Sequence, residues 1–214
     1  TNQTTDNLFC FNQTTNDNDT HFALNSYTWY QNGTILATMP DSRDPTLIHY
    51  FPLENNISDN NIIDYGQGDD ATTIQPTFTD AGKIKGAFEF DGVDDYIQVD
   101  QSPIPAGDPL PEYHVDNITF MAWIYLDKMG IETTDVAPVI SRQNGAGAEG
   151  YTFYIGHSTE EYNESIVDIN GCTLYTATNF THDEWVHVAF SQNTTNLTYY
   201  ENGQLIQIEP CSGG

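Results

Sequence analysis

Apolar and polar residues alternate in short runs along most of the chain after residue 45. The runs are rich in aromatic and β-branched residues, and Gly, Pro, Asp and Asn-Gly separate them, which is typical of β-strands joined by turns. The clearest runs are residues 87–90, 96–99, 119–126, 138–141, 151–155 and 185–190. No long helical period accompanies them, so the pattern predicts an all-β fold, a two-sheet antiparallel sandwich.

Near the C-terminus, two further runs, 197–201 and 204–208, flank the pair Asn202 and Gly203. Asn-Gly accepts the positive φ angles that both central residues of a type I′ turn adopt. The sequence therefore predicts a β-hairpin that turns at these two residues.

Residues 1–45 are richer in Asn, Thr and Asp and contain two strand-like islands, 7–11 and 26–30. A linker is predicted over residues 39–45. Two strands are too few to bury both faces of a sheet. We therefore predict a β-arm over residues 1–45 and a sandwich domain over residues 46–214. The arm packs on the main domain, pairs with another chain, or is the remnant of a second sandwich.

The chain carries 31 acidic and 5 basic residues, a formal net charge of -26. Such a charge repels phosphate backbones and anionic lipid headgroups, so no nucleic-acid partner is expected. The longest apolar run is far shorter than the roughly 20 residues that span a bilayer, which argues against membrane insertion. The acidity is typical of proteins from saline habitats and favours an archaeal source.

Ten Asn-X-Ser/Thr sequons are spread along the chain, which predicts an extracellular or cell-surface glycoprotein. The sequon asparagines are Asn2, Asn12, Asn18, Asn32, Asn56, Asn117, Asn163, Asn179, Asn193 and Asn196. The chain starts at Thr1 without an apolar leader, which favours a processed or cut product.

The three cysteines, Cys10, Cys172 and Cys211, lack the close pair spacing of zinc sites. In an oxidising compartment an odd count predicts one disulfide and one free or intermolecular thiol. A bond between Cys172 and Cys211 would join two late strands, whereas one between Cys10 and Cys211 would tie the chain ends together. We favour the first pairing.

Residues 86–99, Gly-Ala-Phe-Glu-Phe-Asp-Gly-Val-Asp-Asp-Tyr-Ile-Gln-Val, resemble the laminin-G-like, concanavalin A-like jelly-roll domains of secreted and surface proteins. Companion motifs follow the order of that family at residues 49–54, 63–66, 119–124, 139–142, 151–155, 185–190 and 200–203. The resemblance implies a jelly-roll sandwich of two antiparallel sheets, one concave, with ligands or a calcium ion held at the rim loops. Because the fold hosts lectins, adhesion modules, glycanases and spacers, function has to be argued from the site.

The N-terminal segment carries a second resemblance. Leu8-Phe-Cys-Phe and Tyr27-Thr-Trp-Tyr-Gln-Asn-Gly-Thr are similar to the Cys and Trp strands of immunoglobulin-like domains in archaeal and bacterial surface proteins. The strand that would hold the partner cysteine has no room before the jelly roll begins. Residues 1–45 are thus either a partial immunoglobulin-like segment or a β-arm that resembles one.

Asp91, Asp94 and Asp95 cluster beside Gly92 at a predicted turn, and clustered hard oxygen ligands are what calcium prefers. They are the candidate metal ligands, with Ca²⁺ as the candidate cofactor, although the family uses this stretch chiefly as a structural turn. A comparable second cluster comprises Asp64, Asp69 and Asp70.

Glycanases of this fold place two carboxylates one residue apart on a concave strand. Glu89 and Asp91 have that spacing, but their motif is shared with non-catalytic relatives and Asp91 falls at the turn. We therefore predict no catalytic residues and no enzymatic activity.

Aromatic side chains are the candidates for ligand contact. Tyr113, Tyr162 and Tyr175 lie in polar, loop-like surroundings and are the predicted ligand-binding residues. Trp123 and Trp185 lie within strand-like runs and are predicted to be buried.

These observations favour a non-enzymatic, extracellular, glycosylated surface protein that acts in adhesion or assembly. Its expected partners are copies of itself or other surface proteins, and a sharper hypothesis is a filament in which the N-terminal arm donates a strand to a neighbour. The alternative is a calcium-dependent lectin module that binds glycans, and a glycan hydrolase is the third interpretation.

Overall fold

The computed structural model describes residues 26–31, 34–40, 47–54, 60–66, 68–99, 117–127, 137–143, 150–155, 165–169, 171–176, 180–181 and 183–211. Every regular element among them is a β-strand, and all strand pairs are antiparallel. This confirms the predicted all-β fold. Across the same ranges, no helix has the length and apolar character needed to cross a membrane.

Contacts divide the chain into two compact units, Thr1–Ile104 and Pro105–Gly214. The proposed boundary between residues 45 and 46 stays a prediction. Among its described residues, the first unit contains a β1-β2 sheet, a β3-β4-β7 sheet and a β5-β6 sheet. Its strands are β1 Ser26–Gln31, β2 Thr34–Pro40, β3 Asn61–Ile62, β4 Ala71–Ile74, β5 Thr77–Thr79, β6 Ala87–Glu89 and β7 Tyr96–Val99.

Strands β1 and β2 pair with each other, from Ser26 opposite Pro40 to Gln31 opposite Thr34. The strand-like island at 26–30 is therefore a strand, while the island at 7–11 lies outside the described residues. The predicted linker at 39–45 begins too early, because Met39 and Pro40 are the last residues of β2. Met39 and Pro40 pair with Tyr27 and Ser26 of β1, so their backbone belongs to a sheet and not to a linker.

The second unit contains two four-stranded sheets, ordered β12-β11-β10-β9 and β15-β14-β13-β8. The strands are β8 Ile118–Tyr125, β9 Ala137–Gln143, β10 Gly150–Ile155, β11 Ser165–Ile169, β12 Cys172–Tyr175, β13 Trp185–Gln192, β14 Asn196–Glu201 and β15 Gln204–Pro210. Phe153 of β10 and Phe190 of β13 meet between the sheets, with ring centroids 5.4 Å apart. The second unit is thus a two-layer sandwich.

Period-two alternation builds the core of this sandwich. In β13, Val186, Val188 and Phe190 are buried, and the residues between them are not. Similar inward positions on five other segments complete one continuous cluster. Its buried members are Phe153, Ile155, Val167, Ile169, Leu174, Phe180, Val186, Val188, Phe190, Leu197 and Tyr199.

The predicted C-terminal hairpin is confirmed. Asn202 and Gly203 join β14 to β15 with φ angles of 48° and 76°, the left-handed values that a type I′ turn requires. The backbone N–H of Asn202 also donates to the carbonyl of His187 at 2.8 Å, and Asn202 Oδ1 accepts from the His187 N–H at 3.0 Å. The turn is therefore attached to the neighbouring strand β13.

A disulfide joins Cys172 to Cys211, with an S–S distance of 2.00 Å and a Cα–Cα distance of 5.5 Å. This is the pairing favoured from the sequence. Cys172 begins β12 and Cys211 follows β15, and these strands lie at the edges of different sheets. The bond therefore links the two layers of the sandwich at one side.

One polar cluster lies in this core. Tyr199 donates its hydroxyl proton to Glu201 Oε1 at 2.9 Å, so the Ser165 hydroxyl, 3.1 Å from the tyrosine oxygen, donates to it. The N–H of Ser165 donates to Thr176 Oγ1 at 2.8 Å. Burial raises the pKa values of Tyr199 and Glu201. Because these groups satisfy one another, the cluster is an internal support of the sandwich.

Candidate functional site

The loop between β6 and β7 brings Asp91, Asp94 and Asp95 together, with one carboxylate oxygen of each within 4.8 Å of the others. Gly92, at a φ of 76°, gives the chain its tight bend. The sequence predicted that these three carboxylates cluster, and the geometry brings them to one point. Hard oxygen atoms at this spacing are suited to a calcium ion.

The same carboxylates also hold the turn through hydrogen bonds. Asp91 Oδ1 accepts the N–H of Val93 at 2.8 Å, and Asp95 Oδ2 accepts the N–H of Asp91 at 2.9 Å. Asp94 Oδ2 accepts from the Gln75 side chain at 2.6 Å. Such side-chain to backbone bonds are what Asp supplies in turns. The three aspartates thus have a structural role in addition to their suitability as metal ligands.

The glycine that opens this motif is required by close packing. A Cβ atom on Gly86 would contact the Phe78 ring and lie 2.9 Å from the carbonyl oxygen of Glu54. The Glu54 carboxyl is buried, and burial raises its pKa while the Lys85 ammonium opposes that shift. The requirement for glycine at position 86 therefore comes from packing inside the first unit.

The second acidic cluster is organised around one carboxylate. Asp64 Oδ1 accepts the N–H groups of Tyr50 and Gly66, both at 2.7 Å. Its Oδ2 lies 2.8 Å from His49 Nδ1 and accepts the N–H of Gly68 at 3.1 Å. With both oxygens engaged by donors, Asp64 acts as an internal acceptor that fixes the loop.

Glu89 and Asp91 occupy different kinds of position. Glu89 is exposed at the end of β6, whereas Asp91 lies in the following turn, where its carboxylate accepts backbone N–H groups. A glycanase pair needs both carboxylates on one strand face, beside the substrate. The geometry at these two residues therefore does not favour glycan hydrolysis.

An aromatic surface lies on the outer side of the β15-β14-β13-β8 sheet. Trp123 packs edge-to-face with His187 at 5.1 Å between ring centroids, and Tyr125 packs likewise with Trp185 at 5.6 Å. Met121, two residues before Trp123 on the same face of β8, is 66% exposed. The prediction that Trp123 is buried is wrong, because 43% of its surface is exposed. Trp185 is half-buried.

The alternation of side chains between the two faces of β8 explains why Trp123 is exposed. Phe120, Ala122 and Ile124 pack on the core, so residues 121, 123 and 125 must point to the opposite face. Because both sets are apolar, hydrophobicity alone does not distinguish the inner from the outer face. The residues that pair across the strands distinguish the two faces. On the outer face, the polar residues His187 and Ser191 of β13 lie opposite Trp123 and Thr119.

The outer side of this sheet, which we call the aromatic face, has no carboxylate, lysine or arginine at its described strand positions. Cross-strand pairs define its membership. It comprises Thr119, Met121, Trp123, Tyr125, Trp185, His187, Ala189, Ser191, Asn196, Thr198, Tyr200, Leu205, Ile208 and Pro210. These described strand positions lack acidic groups although the chain has 31 of them. Exposed apolar surface of this kind marks interaction sites.

Of the three predicted ligand-binding tyrosines, the described residues include one. Tyr175, at the end of β12, is 51% exposed, in agreement with an outward position. Tyr113 and Tyr162 lie outside the described residues. The aromatic face was not among the candidates drawn from the sequence.

Three of the ten sequons lie in described parts of the chain. Asn117 and Asn193 are exposed, and Asn196 is half-buried in β14. Asn117 directly precedes β8 and Asn193 directly follows β13, and the neighbouring residues Ile118 and Gln192 pair. The two exposed sequons therefore share one end of the sheet. The remaining sequon asparagines, Asn2, Asn12, Asn18, Asn32, Asn56, Asn163 and Asn179, lie outside the described residues.

The two-layer antiparallel sandwich of the second unit has the architecture of a jelly-roll module. The chain belongs to the concanavalin A-like lectin/glucanases superfamily, whose laminin-G-like model matches residues 91–214. That family and the disulfide fit a non-enzymatic structural or binding domain of the cell surface or extracellular space.

Comparison with solved structures finds a segment of an S-layer domain-containing protein from Clostridium thermocellum. It is 18% identical, with a TM-score of 0.43, and the match covers 76% of this chain and 72% of that one. No curated protein matches the chain.

Proposed function

We propose that the chain is a secreted, glycosylated, non-enzymatic surface module that assembles with copies of itself through the aromatic face. The observation that carries this proposal is the exposure of Trp123, Met121 and Tyr125 on a sheet face whose described strand positions hold no carboxylate, lysine or arginine. Removing such a surface from water is favourable, by about 25 cal/mol for each Å² of apolar area buried.

Charge supports a second copy as the occupant of this face. Two chains that each carry a net charge of -26 repel each other wherever their acidic surfaces meet. A contact between copies is therefore least opposed where carboxylates are missing, and the aromatic face is such a place among the described strands. Screening by salt weakens the remaining repulsion, so association should strengthen as ionic strength rises.

The position of the exposed sequons is compatible with this contact. Asn117 and Asn193 lie at one end of the sheet, while Tyr125 and Trp185 pair at the other end. About eight residues of strand separate the two ends, which corresponds to roughly 26 Å at 3.3 Å per residue. The attachment points of glycans at these asparagines would therefore lie away from the most aromatic part of the face.

Replacing Trp123 with Thr tests the proposal. We expect the association constant between copies, measured by multi-angle light scattering and sedimentation, to fall by about tenfold or more, as for a central aromatic anchor. Thr retains β-propensity and Trp123 is exposed, so the thermal midpoint should change little. Tyr175→Thr, which removes an exposed aromatic from the other sheet, is the matched control. Equal association by both variants and the unaltered chain would reject the aromatic face as the contact.

The alternative function is a calcium-dependent lectin, and the grouping of Asp91, Asp94 and Asp95 within 4.8 Å favours it. On that alternative, glycan-array binding would require calcium and would disappear with chelator or with Asp94→Asn. The asparagine keeps an oxygen that can accept from Gln75, so the turn should persist. Asp80→Asn, at another exposed loop position, is the control. Our proposal predicts no glycan binding with or without calcium, and calcium-dependent binding would replace it with the lectin function.

A further inference from the structure

Two sequons share the turn that joins β13 to β14. The first is Asn193-Thr-Thr and the second is Asn196-Leu-Thr, so the third residue of the first sequon directly precedes the second. The N–H of Asn193 donates to the carbonyl oxygen of Asn196 at 3.0 Å, which closes the turn. Both sequences satisfy the acceptor motif equally well.

The carboxamide of Asn193 is oriented by three hydrogen bonds. Its Oδ1 atom accepts the backbone N–H groups of Thr195 and Asn196 and the hydroxyl of Thr195, each at 2.9 Å. A backbone N–H can only donate, so the atom that faces these groups has to be the oxygen. The amide nitrogen therefore lies on the other side of the carboxamide, and Asn193 is exposed.

Asn196 is placed differently. Its Nδ2 atom donates to Thr195 Oγ1 at 2.9 Å, and the residue is half-buried. Its backbone belongs to β14, opposite Pro210 of β15. To present Nδ2 to an enzyme, Asn196 would have to break this side-chain bond, and its backbone is held in a paired strand.

The disulfide holds this arrangement in place. The N–H of Cys211 donates to the carbonyl oxygen of Thr195 at 2.8 Å, and Cys211 is bonded to Cys172. Thr195, which ends the first sequon and directly precedes Asn196, is thus attached to the covalent link between the sheets. Release of Asn196 is opposed by this attachment as well as by strand pairing.

We propose that, in the folded chain, Asn193 is the N-glycosylation site of this turn and Asn196 is not modified. This inference rests on the proposed glycosylation of the chain and specifies the acceptor. The co-reactant is a lipid-linked glycosyl diphosphate. Asn193 Nδ2 forms a bond to the anomeric carbon, the bond from that carbon to the diphosphate oxygen breaks, and the diphosphate leaves with the electron pair. A base of the transferase takes the proton lost from Nδ2.

The test uses the full chain, produced without glycans in a bacterial periplasm and oxidised. A purified oligosaccharyltransferase and its lipid-linked oligosaccharide are added, and site occupancy is measured by glycopeptide mass spectrometry. We expect Asn193 to exceed Asn196 in occupancy by about tenfold or more. Asn196 has to break the bond that its own acceptor nitrogen makes to Thr195, whereas the bonds of the Asn193 carboxamide are made by its oxygen. In the reduced, alkylated and unfolded chain, the two occupancies should become similar.

Asn193→Asp tests whether Asn196 stays unmodified because of its own position or because a glycan on Asn193 blocks it. Aspartate keeps an oxygen for the three donors but lacks the acceptor nitrogen, so the turn persists and Asn196 should stay unmodified. Thr198→Val, which removes only the second sequon, should leave Asn193 occupancy unchanged.

Modification of Asn196 in the folded chain to the level of Asn193, or an Asn193 preference that persists after unfolding, would overturn the assignment. If no sequon of the chain is modified while a control Asn-X-Thr peptide is, the glycosylation part of the proposed function fails as well.

Discussion

Replacing Cys172 and Cys211 together with serine should lower the free energy of unfolding by about 4 kcal/mol, the value expected for a loop of this length. The bond spans a sequence separation of 39 residues, so its loss frees the unfolded chain to adopt many more conformations. It also removes the covalent link between β12 and the end of β15.

Urea denaturation, followed by tryptophan fluorescence, measures this change. Cys10→Ser is the matched control, because Cys10 takes no part in the bond, and it should leave the midpoint unchanged. Should the double variant unfold within about 1 kcal/mol of the unaltered chain, the disulfide would not be a main support of the sandwich.

Phe190→Ala should destabilise the second unit by about 4 kcal/mol, through lost burial and the cavity that remains. Phe190 is fully buried, and its ring centroid lies 5.0 Å from that of Phe120 and 5.4 Å from that of Phe153. Phe190 therefore contacts both its own sheet and the opposite one. Movement of one sheet alone would not fill the cavity that alanine leaves.

Phe190→Leu is the control for this substitution, since leucine fills most of the same volume and should cost only about 1 kcal/mol. Chemical denaturation of both variants gives the comparison. Equal stability of the alanine and leucine variants would mean that the space at Phe190 collapses readily, and the two-layer core would then be packed less tightly than its contacts indicate.

Strand positions were predictable where a run is long and rich in aromatic and β-branched residues. The run 185–190 became β13, and Asn202 with Gly203 became the hairpin turn, because local chemistry decides both. The short strands β3, β4 and β5 carry no such signal, since each has only two to four residues. Their existence depends on pairing, of β3 with β4, β4 with β7 and β5 with β6, which a local pattern does not contain.

The site was predictable only in part, for physical reasons that differ between residues. Asp91, Asp94 and Asp95 come together because they are close in sequence around Gly92. The exposure of Trp123 depends instead on which side of β8 meets the second sheet, and both sides are apolar.

The different hydrogen bonding of the Asn193 and Asn196 side chains arises in a folded turn. Both sequons fit Asn-X-Thr, so the sequence does not distinguish them. Tyr113 and Tyr162 stay predictions as ligand contacts.

The proposed filament by strand donation concerns residues 1–45. Within that segment, β1 and β2 already pair with each other, so a donated strand would add to this pair or come from residues outside it. Strand addition and contact through the aromatic face make different demands on the chain. The first needs the N-terminal residues, and the second needs Trp123.

Electron microscopy of the purified full chain, at a salt concentration that screens its charge, tests self-assembly most directly. We predict ordered filaments or sheets, which Trp123→Thr abolishes and Tyr175→Thr leaves intact. Removal of residues 1–45 then shows whether the arm takes part, since loss of order would support strand donation and unchanged order would exclude it. Discrete monomers under all these conditions would contradict an assembly function and favour the lectin alternative.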